Sequence, residues 1–64
     1  MKNKFAKLLK LGIAVRVQEA VESGELTFWN TQSWTLRYNG GLYDERLLDE
    51  VRALVDYFEN GGTI

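Results

Sequence analysis

Residues 25–43 read ELTFWNTQSWTLRYNGGLY, and the fold class turns on them. Thr, Trp, Tyr, Phe and Leu crowd this stretch, and these are strand formers. Leu26 and Phe28 alternate with Thr27 and Trp29, and Trp34, Leu36 and Tyr38 alternate with Thr35 and Arg37. The alternation predicts two strands, over about 25–30 and about 33–38, joined around 31–33. Pairing Phe28 with Leu36 and Leu26 with Tyr38 turns every apolar side chain to one face, with Trp34 beside them. Trp29 and Arg37 then share the opposite face. Asn39-Gly40 suits a type I′ turn, so 41–43 read as a short third strand.

On the C-terminal side, residues 44–60 specify a helix. Asp44 is the expected N-cap, and acids in the first turn suit the helix dipole. Leu47, Leu48, Val51, Leu54, Val55 and Phe58 form a stripe at i, i+3, i+4, i+7 spacing. Asn60-Gly61-Gly62 is the stop. The tripeptide Asn-Gly-Gly also stands at 39–41; both copies sit where punctuation is needed, and the repetition carries no weight in this reading.

On the N-terminal side, residues 3–23 read as a helical segment, kinked near Gly12. Asn3 is its cap, Phe5, Leu8 and Leu9 share one face, and Ile13, Val17, Ala20 and Val21 continue on a rotated stripe. Ser23-Gly24 ends it. Ile13, Val15 and Val17 also alternate in strand fashion; the helix-forming run Gln18-Glu19-Ala20-Val21-Glu22 favours the helix. The expected architecture is therefore α+β in one domain, 1–64: helical N-terminal segment, two- or three-stranded antiparallel meander, and a C-terminal amphipathic helix packed on one sheet face. The other sheet face carries Trp29.

Sixty-four residues bury a small core, so such a chain usually needs a disulfide, a metal or a second subunit. Cysteine and histidine are both absent, which removes the disulfide and leaves only oxygen ligands for a metal. Oligomerisation remains, and a homodimer or larger assembly is expected. The start of the chain looks like a signal peptide, but Lys7 and Lys10 interrupt the apolar run and no cleavage-site pattern follows. No stretch reaches membrane-spanning length, and a cytoplasmic location is expected.

Net charge is −1, unevenly spread. Lys2, Lys4, Lys7, Lys10 and Arg16 give the first 16 residues +5, and the other 48 carry −6. Lys4, Lys7, Lys10 and Arg16 form a candidate basic patch for phosphate contacts. The acidic whole, with a pI near 5.3, argues against a nucleic-acid domain.

Catalysis finds no purchase in these residues. A nucleophile needs a base beside it, and the usual base is absent. Glu45, Asp49 and Asp56 fall on an exposed helix flank, where nothing separates their pKa values for acid–base work. The glycines at 40–41 offer a backbone nest for phosphate, which the turn explains equally well. No enzyme, metal or cofactor is expected. The aromatic set is more telling, since Trp and Tyr anchor interfaces. Trp29, Arg37, Trp34, Tyr38 and Tyr43 are the candidate partner-binding residues, centred on Trp29 and Arg37.

In being very short, cysteine-free, charged and without an enzyme motif, the chain resembles small phage and mobile-element proteins that bind and block a host protein. The resemblance is one of composition and rests on no motif. It implies a non-catalytic protein-binding module, an inhibitor or regulator acting by surface masking. The alternatives are an oligomer that sequesters a nucleotide-like ligand, and a nucleic-acid-binding regulator using the basic N-terminal segment.

Overall fold

The computed structural model describes residues 12–63. These form three α-helices and a single 3-10 turn: α1 (Ile13–Ser23), the turn (Phe28–Asn30), α2 (Thr31–Tyr38) and α3 (Glu45–Glu59). No strand occurs among the described residues. The α+β expectation is thus overturned: 25–30, 33–38 and 41–43 form no meander, Phe28 does not face Leu36 across a ladder, and α3 has no sheet to pack on.

The centre of the error is α2, and local hydrogen bonds explain why it is a helix. The Asn30 carboxamide accepts from the Thr27 N–H at 2.8 Å and donates to the Glu25 carbonyl at 2.9 Å. The Thr31 hydroxyl, itself buried, donates to the carbonyls of Thr27 at 2.7 Å and Phe28 at 3.0 Å. Side chains that bond backbone groups three to five residues away stabilise a tight turn against an extended chain. The buried face of α2 is Thr31, Trp34 and Thr35, a helical spacing. Two of those three are threonines, which strand propensity counts as strand formers. The Thr35 hydroxyl is buried with no hydrogen-bond partner among the described residues, a desolvation cost of about 1–3 kcal/mol that Trp34 burial must outweigh.

The stop of α2 excludes the expected type I′ turn. The Gly40 N–H donates to the Arg37 carbonyl at 3.2 Å and the Gly41 N–H to the Leu36 carbonyl at 2.8 Å. That pair of bonds is the Schellman motif. At the end of α3, Gly61 bonds Phe58 at 3.1 Å and Gly62 bonds Tyr57 at 2.9 Å in the same pattern. The two Asn-Gly-Gly tripeptides are therefore one device used twice. Gly40 and Gly61 have φ of 67° and 90°, a left-handed backbone that glycine adopts without steric cost.

The C-terminal helix follows its sequence pattern. The Asp44 carboxylate accepts from the Leu47 N–H at 3.1 Å, and Leu48, Val51, Leu54, Val55 and Phe58 are buried. Residues 13–18 are helical, which resolves their ambiguity. Gly12 lies just before α1 with φ 80°, in the left-handed region, so α1 starts there; the expected helix before it, over 3–11, lies outside the described residues. Both α1 and α2 pack against α3. Their shared core is Ile13, Ala14, Val17, Ala20, Leu26, Trp34, Val51, Leu54, Val55 and Phe58. Leu26 is brought into it by the bond from its N–H to the Ala20 carbonyl, 3.0 Å, which folds the chain back after α1. No helix of the described residues is long and apolar enough to cross a membrane.

Candidate binding surface

Two features stand out on the surface of this bundle. The first is a groove where α1 and α2 approach the 24–27 loop. Arg16, Glu25, Trp34, Arg37 and Tyr38 line it, around a volume of about 230 Å³. Glu25 organises it. Its Oε2 accepts from the Trp34 indole Nε1–H at 2.7 Å and from an Arg16 guanidinium N–H at 2.8 Å. Trp34 is only 3% exposed, so its N–H needs an acceptor, and Glu25 reaches it from the rim. The Arg16 guanidinium also lies over the indole, 5.5 Å from the ring centroid, within cation–π range. Tyr38 stacks on Trp34 at 5.3 Å with the rings 12° apart.

These donors hold the Glu25 carboxyl below its ordinary value of 4.5. The Trp34 indole contributes most, then the Arg16 hydrogen bond; desolvation, next in size, opposes them, and the charges of Arg16 and Arg37 add the least. A carboxyl whose pKa is depressed by folding adds stability above its unfolded value, and that stability is lost as pH falls through the folded value. The stability difference between wild type and E25Q is therefore expected to shrink as pH drops below about 4.5. Thermal melts of both proteins across that range check this, and a difference independent of pH contradicts it.

The second feature is apolar. Trp29 is 91% exposed at the head of α2, edge-on to Phe28 at 5.4 Å. Phe28 itself is 55% exposed. The 3-10 turn that carries them packs on α3, while Leu26 and Thr31 on either flank go inward. Leu42 and Tyr43, in the loop between α2 and α3, are also exposed.

The structure redistributes the residues singled out from the sequence. Trp34, Tyr38 and Arg37 come together with Arg16 in the groove. Trp29 does not line it, so the expected pairing of Trp29 with Arg37 on one sheet face is replaced by two separate features. Tyr43 belongs to neither and lies exposed beside Leu42 in the loop between α2 and α3. Lys4, Lys7 and Lys10 lie outside the described residues, so only Arg16 of the basic patch is placed. Glu25, which holds the groove together, escaped the sequence reading. Arg16, Glu25 and Trp34 follow one another at intervals of nine residues, which matches no helix or strand period and leaves no local signal. On the flank of α3, Asp49 and Arg52 approach to 3.8 Å as an exposed pair, worth little in water.

In comparison with known proteins, no protein-family model, no curated protein and no solved structure matches the chain.

Proposed function

We propose that this chain is a non-catalytic binding module that covers a surface of another protein, with Trp29 as its anchor. The observation that carries the reading is the 91% exposure of Trp29, braced by an exposed Phe28. A folded domain gains nothing from holding an indole in water, whereas interfaces draw much of their affinity from such rigid aromatic groups. The 3-10 turn fixes the pair through the Asn30 and Thr31 side-chain bonds, so little order is lost when a partner closes over them. This surface supports the reading of a regulator that works by masking its partner.

The nucleotide-sequestering alternative is less well supported. The groove, at about 230 Å³, lies below the roughly 300–1,000 Å³ of typical small-ligand pockets.

Trp29→Ala is the test. The variant is expected to keep its helical circular dichroism and its melting temperature, because the side chain is 91% exposed. Its complex with the partner is expected to weaken by at least about thirtyfold, the lower bound for a hot-spot aromatic. Quantitative affinity capture from the source cell, with both proteins as bait, measures this. Identical capture by the two baits contradicts the proposal.

A further inference from the structure

The groove has a chemistry of its own. Residues 12–63 contain four arginines against nine carboxylates, yet two of those arginines meet here with one carboxylate. The groove carries a net positive charge on an acidic body. Glu25 does not use that charge up. Among the described residues only its Oε2 is engaged, by the Trp34 indole N–H and by one N–H of Arg16, and a guanidinium offers five N–H donors. Arg37 forms no ion pair among the described residues. Its place in the last turn of α2 suits the helix dipole. That accounts for a cation there, but not for its lining one groove with a second arginine and two aromatic rings.

The size of the groove narrows the occupant further. About 230 Å³ suits one side chain rather than a whole ligand. Two guanidiniums favour a planar anion held by paired N–H bonds, which is the geometry of a carboxylate. The half-exposed Tyr38 ring, stacked on Trp34, supports the aliphatic stem of such a residue. From this geometry we infer that the groove receives an acidic side chain of the partner protein, with Arg37 as its chief donor and Arg16 as the second. The inference rests on the reading of the chain as a protein-binding module. It adds a polar, charge-selective subsite to the apolar anchor at Trp29. Glu25 has a double part in this account: it orients Arg16 and Trp34, and it competes with the incoming carboxylate for Arg16.

The test needs no partner. The probe is a blocked tripeptide, acetyl-Ala-Glu-Ala-amide, titrated into the isotope-labelled full chain and followed by NMR, with acetyl-Ala-Gln-Ala-amide as the neutral control. Weak binding is expected, since exposed charges are screened. The glutamate peptide should shift the Trp34 indole N–H and the Arg37 and Tyr38 signals, and the glutamine peptide should not. Arg37→Gln should weaken the probe by about tenfold or more, as loss of a charge-assisted bidentate contact does. Glu25→Gln keeps an acceptor for Trp34 but removes the competing charge, so it should bind the probe more tightly than wild type. Equal shifts from both peptides, shifts confined to other residues, or unchanged binding in Arg37→Gln overturn the inference. A stronger response to inorganic phosphate than to the glutamate peptide also overturns it and assigns the groove to phosphate. Trp29→Ala should bind the probe as wild type does. Failure at the groove is thereby separated from failure of the Trp29 anchor, which the capture experiment reads alone.

Discussion

Replacing Leu54 with alanine is expected to leave much of the protein unfolded at room temperature. Leu54 is fully buried on α3, the helix against which both others pack. Val51 and Phe58 sit one turn away on either side, and Val55 lies beside it. Deleting a buried leucine beyond its β-carbon costs about 2–5 kcal/mol, with the larger values where the site cannot collapse. A helix held on two sides is such a site. A domain of this size seldom has more than about 3–5 kcal/mol in total. The loss therefore consumes most of the stability. Leu42→Ala is the control. Leu42 is 71% exposed, and its removal should change stability by less than about 0.5 kcal/mol. Urea unfolding followed by circular dichroism measures both. A Leu54→Ala loss below about 1 kcal/mol contradicts the central place of α3, because it falls outside the range for a buried leucine.

The second large effect concerns Trp34. Trp34→Ala should cost about 3–5 kcal/mol, for three reasons that coincide in one side chain. The ring is 3% exposed, it is the large apolar group by which α2 joins the core, and it holds Tyr38 by stacking. Trp34→Phe separates these contributions. It keeps an aromatic ring in the core but removes the indole N–H that Glu25 accepts. The loss of stability should be smaller than for alanine. The Glu25 carboxyl should also titrate closer to its ordinary value, because its largest stabilising contact is gone. Fluorescence adds an independent readout. Trp34→Phe leaves only Trp29, which should emit as a solvent-exposed indole and be freely quenched by acrylamide. Trp29→Phe leaves only Trp34, which should be protected. Equal quenching of the two indoles contradicts their assigned environments.

Much of the helical frame is written in local sequence. Asp44, the apolar stripe and Asn60-Gly61-Gly62 each speak for α3 by a separate mechanism, and all three are used. Residues 13–23 carried two patterns, and the helix-forming run from Gln18 decided between them. The middle third misleads for a physical reason. Its strand-like alternation is real, but Thr31 and Thr35 face inward with Trp34, so the helical stripe is hidden in residues that look polar. Propensity gave way to side-chain bonds from Asn30 and Thr31 and to packing on α3. One signal was there to be used. The same tripeptide that ends α3 recurs at 39–41, and a shared stop argues for a helix before each copy. Trp29 is exposed, as the hairpin register also required, but by standing at the head of a helix rather than on an open sheet. The groove was not legible, because Arg16, Glu25 and Trp34 meet only once the chain has folded.

Everything proposed for the surface depends on residues 31–38 being a helix that ends in a Schellman cap, since that geometry sends Trp34 inward and leaves Trp29 outside. Backbone NMR chemical shifts across 25–43 test it most directly. The account predicts Cα shifts displaced downfield through 31–38, a break at 39–41, and no contact between the backbones of Phe28 and Leu36. Upfield Cα shifts over 33–38, accompanied by cross-strand contacts between those two residues, would contradict it.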